Sequence, residues 1–203
     1  MAHAYRIDMK TQLTPSLFNK YYADIIELRN NFLLPVNADE YTPEDESLHL
    51  GLYRSEMVEL SLAETNIKRL DALVDGGYVL FGALVHQGSR TIALAIKDSP
   101  IEHAKIEDIL FFNEQTFTIE QFDQAWDIIH QSNLSKICTT EEDKKQTLDK
   151  YKALKVPCKA YKTPKGWIVK ATKDCQVGTD FIPAGKFLKS VSYKAADLTP
   201  VFS

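Results

Sequence analysis

DGGYVLFGALVHQGSRTIALAIKD, residues 75–98, is the most strongly patterned stretch of the chain, and the predicted fold depends on it. Two apolar runs, at 78–86 and 91–97, lie on either side of a short turn sequence, GSR, at 88–90. Apolar residues on both faces of a strand are typical of a sheet that is covered on both sides, usually by helices. The stretch therefore predicts a β-hairpin that is largely buried.

Three helices are predicted around this hairpin. Thr14 is a capping hydroxyl followed by proline, and apolar residues then recur every three and four positions until Pro35 ends the helix. A second helix is predicted at 63–74, directly before the hairpin. A third helix begins after Thr118, which forms a capping-box pattern with Gln121.

A polar helix and a small β module are predicted after residue 138. The sequence TTEEDKKQTLDKYKAL, which starts at Thr139, has acids in its first turn and lysines in its last, as the helix dipole favours. Beyond Pro157, the sequences CKAYKT, WIVKAT and FIPAGKFLKSVSY predict the strands of a module of SH3-like size. The predicted fold class is α+β, with a mixed, acidic N-terminal domain that contains the hairpin (1–138), a connecting helix (139–155) and a small basic β module (156–203).

Length and composition exclude several classes of protein. The chain has 203 residues, of which 44% are hydrophobic, so it is long enough to bury a core. Its N-terminus has no signal-peptide pattern and its apolar runs are too short for a membrane helix, which predicts a cytoplasmic protein without a membrane partner. Three cysteines without a C-x-x-C pair argue against a disulfide framework and against a zinc knuckle.

Motifs for catalysis and for cofactor binding do not occur in the sequence. We find no phosphate-binding loop, dinucleotide fingerprint, H-E-x-x-H pair or nucleophile elbow. The sequence therefore predicts no catalytic residue, no metal ligand and no cofactor, and it favours a protein that is not an enzyme.

Charge is divided unequally along the chain, although the net charge is only -4. Residues 1–138 hold 11 basic and 21 acidic residues, a net charge of -10, whereas residues 139–203 hold 13 and 7, a net charge of +6. Such a division indicates two surfaces with different partners, or two parts that attract each other.

A lysine-rich set surrounds two aromatic residues in the predicted β module. Its members are Lys159, Tyr161, Lys162, Lys165, Trp167, Lys170 and Lys173. Lysines neutralise phosphates and aromatic rings stack on bases, so we predict that this set binds nucleic acid. The lack of arginine favours contact with the phosphate backbone over base recognition. The alternative is a solvated lysine surface around a small aromatic core.

A polar, acidic loop is predicted at 35–47, PVNADEYTPEDES, and the alternating residues 48–54 after it predict a short strand. Five acids of this loop could mimic phosphates or bind a basic protein partner: Asp39, Glu40, Glu44, Asp45 and Glu46. The alternative is that they are solvated surface charges.

One part of the chain resembles a known family. The matching residues are Gly76, Gly77, Tyr78, Val79, Leu80 and Phe81, then 92–96, then 117–129 with Ala125. They resemble the central part of the NdpA-type nucleoid-associated proteins, which has a Gly-Gly-aromatic-Val-Leu-Phe strand, a second apolar strand and a later helix. The resemblance covers about residues 70–133 and implies an α+β domain from a family associated with bacterial DNA. The chain is much shorter than full-length members, its C-terminal part does not match theirs, and no catalytic residue is carried over.

Three hypotheses about function follow. The first is a non-enzymatic, nucleoid-associated protein of the cytoplasm, whose acidic body self-associates and whose lysines contact the phosphates of double-stranded DNA or another nucleic acid. The second is a protein-binding accessory or inhibitor factor of a phage, plasmid or defence locus that acts on a nucleic-acid-processing enzyme. The third is an enzyme with a divergent metal-dependent nuclease site, which ranks last because no paired acids are recognised at a suitable spacing.

Overall fold

The computed structural model describes residues 13–37, 39, 41–89, 94–95, 102–104 and 117–203, with the backbone alone described at 94–95 and 102–104. The described residues form five α-helices: α1 (Pro15–Asn31), α2 (Pro43–Leu62), α3 (Asn66–Gln87), α4 (Ile119–Leu134) and α5 (Glu141–Ala153). A 3-10 helix, Thr199–Phe202, lies near the C-terminus. No helix in these ranges is both long and apolar enough to cross a membrane.

Within the described ranges, seven short strands form three antiparallel sheets. The strands are β1 (Leu94–Ala95), β2 (Glu102–Ala104), β3 (Cys158–Thr163), β4 (Gly166–Ala171), β5 (Cys175–Val177), β6 (Asp180–Ile182) and β7 (Phe187–Leu188). β1 pairs with β2, β5 pairs with β6, and the largest sheet has the order β3-β4-β7. We call α1–α4 the helical body and β3–β7 the β module. The predicted α+β fold class with a small C-terminal β module is confirmed.

The predicted helix starts are confirmed where they depend on capping side chains. Thr14 Oγ1 accepts a hydrogen bond from the Leu17 backbone N–H at the start of α1. Thr118 and Gln121 form the predicted capping box at the start of α4. Thr140 caps α5 in the same way. These contacts are local, so the sequence is sufficient to predict them.

The predicted hairpin at 78–97 is wrong, because its first strand lies inside α3. Gly76 and Gly77 do not end the helix, which continues to Gly88, a left-handed C-cap with φ +68°. A helix that is buried almost all round has the same uninterrupted apolar sequence as a strand that is buried on both faces. β1 does lie within the second predicted strand, but its partner is β2.

The predicted strand at 48–54 is also wrong, because those residues belong to α2. The helix begins in the predicted acidic loop, where Thr42 is the N-cap and Pro43 the first helical residue. Thr42 and Asp45 form a capping box, which outweighs the alternating pattern that follows. Residues 35–37, 39, 41 and 42 lie outside the helices, as predicted.

The core of the helical body is built around Trp126 of α4, which is completely buried. The ring of Tyr21 from α1 stacks on it at a centroid distance of 4.2 Å, and Tyr78 and Phe81 from α3 lie at 4.7 and 5.5 Å. The C-terminal 3-10 helix returns to this core, where Val201 is buried. Aromatic contacts therefore join α1, α3 and α4, and also anchor the end of the chain.

The β module packs on the helical body through one face of its sheet. Ile168 of β4 is buried with Phe32 and Ile137, and the ring of Phe187 in β7 lies 4.8 Å from Phe32. The opposite face of the sheet packs on α5, where Tyr151 is buried. The acidic and basic parts of the chain are therefore in contact.

Candidate functional site

The β3–β4 register divides the predicted lysine-rich set between two faces of the sheet. Lys159 lies opposite Lys170, and Lys162 lies opposite Trp167. Neighbouring residues of a strand point to opposite faces. Lys159, Tyr161 and Lys170 thus share one face, and Lys162 and Trp167 share the other.

Each face carries lysines beside an aromatic ring. On the first face, the ammonium groups of Lys159 and Lys170 lie 5.6 and 5.7 Å from the ring of Tyr161. On the second face, Lys162 lies 3.6 Å from the centre of the Trp167 ring, and Lys144 of α5 lies 4.7 Å from it. The structure thus forms two small cationic–aromatic groups in place of one continuous patch.

The two remaining lysines of the predicted set have different surroundings. Lys165, in the β3–β4 turn, forms an ion pair with Glu27 of α1. Lys173 lies exposed just beyond the end of β4. Lys165 therefore helps to hold the module on the helical body, which reduces its availability for a phosphate.

Asp45, one of the predicted partner-binding acids, has a local structural role in capping the start of α2. Its carboxylate accepts hydrogen bonds from the backbone N–H of Thr42 at 3.0 Å and from the Thr42 hydroxyl at 2.9 Å. These bonds lower the pKa of Asp45 below its ordinary value. Glu44 and Glu46 lie beside it in the first turn of α2, and Asp39 is exposed.

Glu40 lies outside the described residues, so the predicted acidic surface is described only in part. The binding of a basic protein by these acids stays a prediction.

A second group of acids, which was not predicted, lies where α2 and α3 pack together. We call it the carboxylate group: Glu56 and Glu59 of α2 with Asp71 and Asp75 of α3. Separations of three and four residues place each pair on one side of its helix.

Close contact between the helices brings the two pairs within electrostatic range of each other. A Cβ atom added to Gly76 would lie 2.9 Å from Met57 Cε and 3.5 Å from the Tyr53 ring. Glu56 and Asp75 each directly precede a residue of this contact. The glycine thus brings the two helices together at the position where their acids are concentrated.

The carboxylates of this group disfavour one another's ionisation. Burial raises the pKa of Asp75 to about 7, and the charges of Asp71, Glu56 and Glu59 act in the same direction. Burial, followed by the charges of Glu59 and Asp71, raises the pKa of Glu56 to about 7. The pKa of Asp71 is raised for the same two reasons. Perturbed carboxyls of this kind are concentrated at functional sites.

Basic groups lie on the side of the carboxylate group that faces α4. Lys136, just after α4, donates to Asn133 Oδ1 at 2.6 Å and interacts electrostatically with Asp75. Burial lowers the pKa of Lys136, and the charges of Lys189 and Lys186 lower it further. The charged side chains near Asp75 are therefore negative on α2 and α3 and positive beside the β module.

An aromatic ring accompanies these basic groups. Tyr193 is half-buried, accepts a hydrogen bond from the Ser132 hydroxyl at 3.3 Å, and lies 4.4 Å from the Lys189 ammonium group. The arrangement offers carboxylates for a cation, ammonium groups for an anion and a ring for a planar group.

The sequence did not predict the carboxylate group, because the segments that form α2 and α3 were each predicted to contain a strand. The E-x-x-E spacing at 56–59 and the D-x-x-x-D spacing at 71–75 are visible in the sequence. They become one site only when 43–62 and 66–87 are both helical. Two acidic pairs on consecutive helical segments are the signal that could have revealed it.

Comparisons with known proteins identify no relative: no family model matches the chain, and neither a curated protein nor a solved structure is detectably similar to it. The resemblance to the NdpA-type proteins stays a prediction. Its Gly76–Phe81 segment, expected as a strand, is part of α3.

Proposed function

We propose that the carboxylate group binds divalent cations and that the protein is a metal-dependent hydrolase of phosphoanhydride bonds in small molecules of the nucleoside polyphosphate class. The observation that carries this proposal is that the acids of the carboxylate group influence one another's ionisation across the α2–α3 contact. Glu56, Asp71 and Asp75 all have raised pKa values, and such carboxylates are costly for a helical body unless a cation offsets their charge.

Oxygen ligands determine the class of cation. Carboxylates are hard ligands and suit Mg²⁺ or Mn²⁺. Helical bundles hold such ions between carboxylates of facing helices, and the carboxylate group belongs to two packed helices, α2 and α3. Among the described residues these four are not gathered within one coordination sphere, as is expected for carboxylates that repel one another without a bound ion.

The proposed reaction is an attack of water on phosphorus. The carboxylate group would hold the cation, which would supply a Lewis acid for a phosphoryl oxygen, and a carboxylate of the group that is not bound to the cation would accept the proton of the attacking water. A bond forms between the water oxygen and phosphorus, the bridging P–O bond breaks, and the leaving phosphate departs with the electron pair. Lys136 and Lys189 supply positive charge for the phosphates, and the ring of Tyr193 is placed to stack on a base.

The direct test is hydrolysis of a panel of nucleoside di- and triphosphates with Mg²⁺ or Mn²⁺, measured as released phosphate and pyrophosphate. We expect release that requires the cation and falls by about two orders of magnitude in Asp75→Asn and in Glu56→Gln. Glu64→Gln, which changes an exposed acid between α2 and α3, is the matched control and should retain activity. No release from any nucleotide, together with no cation binding by calorimetry, would refute the proposal.

A second candidate function is the contact with nucleic-acid phosphates predicted from the lysine-rich set. The specific observation in its favour is Trp167, with Lys144 and Lys162 both within 5 Å of its ring centre. Such a group can bind a phosphate and a stacked base together. This function corresponds to a cytoplasmic protein that binds DNA and is associated with the nucleoid. The remaining alternative is an accessory factor that binds a protein partner.

Binding to single- and double-stranded DNA at low and moderate salt tests this second function. We expect affinity to fall steeply with salt, and more in Lys144→Ala/Lys162→Ala than in Lys159→Ala/Lys170→Ala, which changes the other face. Equal binding by the wild type and both variants would contradict it. Protein partners that persist in a pull-down after nuclease treatment would favour the accessory factor.

A further inference from the structure

A separate set of ligand-type side chains lies where the helical body meets the β module. Asp24 and Glu27 of α1 and His130 of α4 bring one ligand atom each within 4.8 Å of one another. His130 is only 4% exposed. Among the described residues this is the one group of three that is so closely gathered.

The spacing within this group is that of metal ligands. Glu27 Oε2 lies 3.3 Å from His130 Nε2, which is longer than an ordinary N–H···O hydrogen bond. Two ligands bound about 2.1 Å from a tetrahedral metal ion are separated by about 3.4 Å. The separation of these two atoms is therefore that of two ligands of one tetrahedral ion.

Each of the three side chains also forms a hydrogen bond with a residue outside the group. The indole Nε1–H of Trp126 donates to Asp24 Oδ2 at 2.9 Å. Lys165 is bonded to Glu27 Oε1, which leaves Oε2 directed towards His130. Outer partners of this kind orient metal ligands and are a regular part of metal sites.

The contact between Tyr78 and His130 is compatible with a tautomer in which the imidazole nitrogen that faces Glu27 is unprotonated. The Tyr78 hydroxyl and His130 Nδ1 are hydrogen-bonded within the core. When Nδ1–H donates to the hydroxyl oxygen, Nε2 presents its lone pair to Glu27 Oε2, and two electron-rich atoms face each other. A cation between them removes that repulsion.

We propose that Asp24, Glu27 and His130 form a transition-metal site at the joint between the helical body and the β module. One imidazole and two carboxylates suit Zn²⁺ or Co²⁺, with water in the open position. The Glu27 and Lys165 side chains are 38% and 50% exposed, so the ion enters from their side. This site is independent of the carboxylate group and of the function proposed for it.

Titration of the full chain with Zn²⁺ or Co²⁺ alone tests the site. We expect one equivalent at this site, in addition to any ion held by the carboxylate group, with a Co²⁺ visible spectrum and a raised Tm. Asp24→Asn and Glu27→Gln should each weaken binding by about tenfold or more. Glu27 lies near the surface, so Glu27→Gln retains the fold even if a His130 variant does not.

Two controls make the result specific. Asp127→Asn changes an exposed carboxylate of α4 that binds Lys20, and it should bind the ion like the wild type. Asp75→Asn should also leave this binding unchanged, which separates the site from the carboxylate group. Unchanged affinity in both Asp24→Asn and Glu27→Gln, or no binding by the folded wild type, would show that the three side chains form only a structural hydrogen-bonded network.

Discussion

The helical body and the β module place their charged groups in opposite ways. In the helical body, acids lie at helix contacts, where burial and mutual repulsion raise their pKa values. In the β module, lysines extend over the two faces of a small sheet and lie against aromatic rings at the surface. Surface charge is solvated at little cost, whereas partly buried like charges are not. The acids with raised pKa values, which are the better candidates for catalysis, therefore lie in the helical body.

The two tryptophans of the chain divide between these regions. Trp126 is completely buried in the helical body, whereas Trp167 is half-buried on the face of the module's sheet that packs on α5. Their different surroundings make them matched probes of the two cores.

The largest expected effect is on the core of the helical body. Trp126→Ala should reduce the free energy of unfolding by about 3–5 kcal/mol, since it empties the centre of an aromatic cluster. Trp167→Ala should cost only about 1 kcal/mol, because its ring is already partly in solvent. Urea unfolding followed by circular dichroism measures both. Similar losses in the two variants would contradict the distinction between the cores.

The next effect concerns the joint between the β module and the segment before α5. Gly166 has φ +146°, and a Cβ atom there would lie 2.1 Å from the Cys138 carbonyl oxygen. Cys138 and Trp167 exchange two backbone hydrogen bonds of 2.8 Å at this point. Gly166→Ala should therefore cost about 3 kcal/mol in the free energy of unfolding.

Gly178 provides the control for this substitution. It has φ +60°, but a Cβ atom there would meet nothing within 4 Å. Gly178→Ala should cost about 1 kcal/mol, from backbone strain alone. Equal costs at the two glycines would show that the contact with Cys138 is not what restricts Gly166.

The parts of the fold that the sequence predicts well are those determined by neighbouring residues. Thr14, Thr118 and Thr140 cap helices through bonds to residues three positions away. β3 and β4 form where the sequences CKAYKT and WIVKAT predict strands. In each case the determining contact is within a few residues, so propensity and spacing are sufficient.

The errors arose where distant packing decides the structure. Residues 78–86 are apolar because α3 is covered by α1, α2 and α4, and a sequence cannot show how many neighbours an element has. For the same reason, the sequence does not predict the carboxylate group, because Glu56 and Asp75 approach each other only through the contact of Gly76 with Met57. The sequence predicts the lysine-rich set, but the division of its members between two faces of the sheet follows from the register of β3 and β4.

A smaller effect tests the charges of the carboxylate group through pH. Asp75 ordinarily ionises near pH 3.8, and in the folded protein its pKa is raised to about 7. Between these values the folded state keeps a proton that the unfolded state has lost, so stability falls as the pH rises from about 4 to 7. Asp75→Asn should remove this contribution and raise the free energy of unfolding at pH 8 by about 2 kcal/mol.

Unfolding of the wild type and Asp75→Asn at pH 4 and at pH 8 measures this difference. The two proteins should be nearly equal at pH 4, where Asp75 is protonated in the folded state. Asp45→Asn is a useful contrast, because the pKa of Asp45 is lowered by its capping bonds and its contribution is lost on acidification. A parallel pH dependence in the wild type and Asp75→Asn would contradict the prediction.

The smallest effect is the ion pair that joins the two regions, between Lys165 of the β3–β4 turn and Glu27 of α1. Both side chains are well exposed, so a double-mutant cycle with Lys165→Met and Glu27→Gln should give a coupling of only about 0.5 kcal/mol. The coupling should shrink at high salt, because the pair is screened. Lys165 lowers the pKa of Glu27, so the coupling is present above the ordinary Glu value of 4.5 and is lost as the pH falls below it. A coupling above about 2 kcal/mol would contradict this estimate and would mean that the charge pair holds the module to the body as firmly as the packing of Phe32 on Phe187 does.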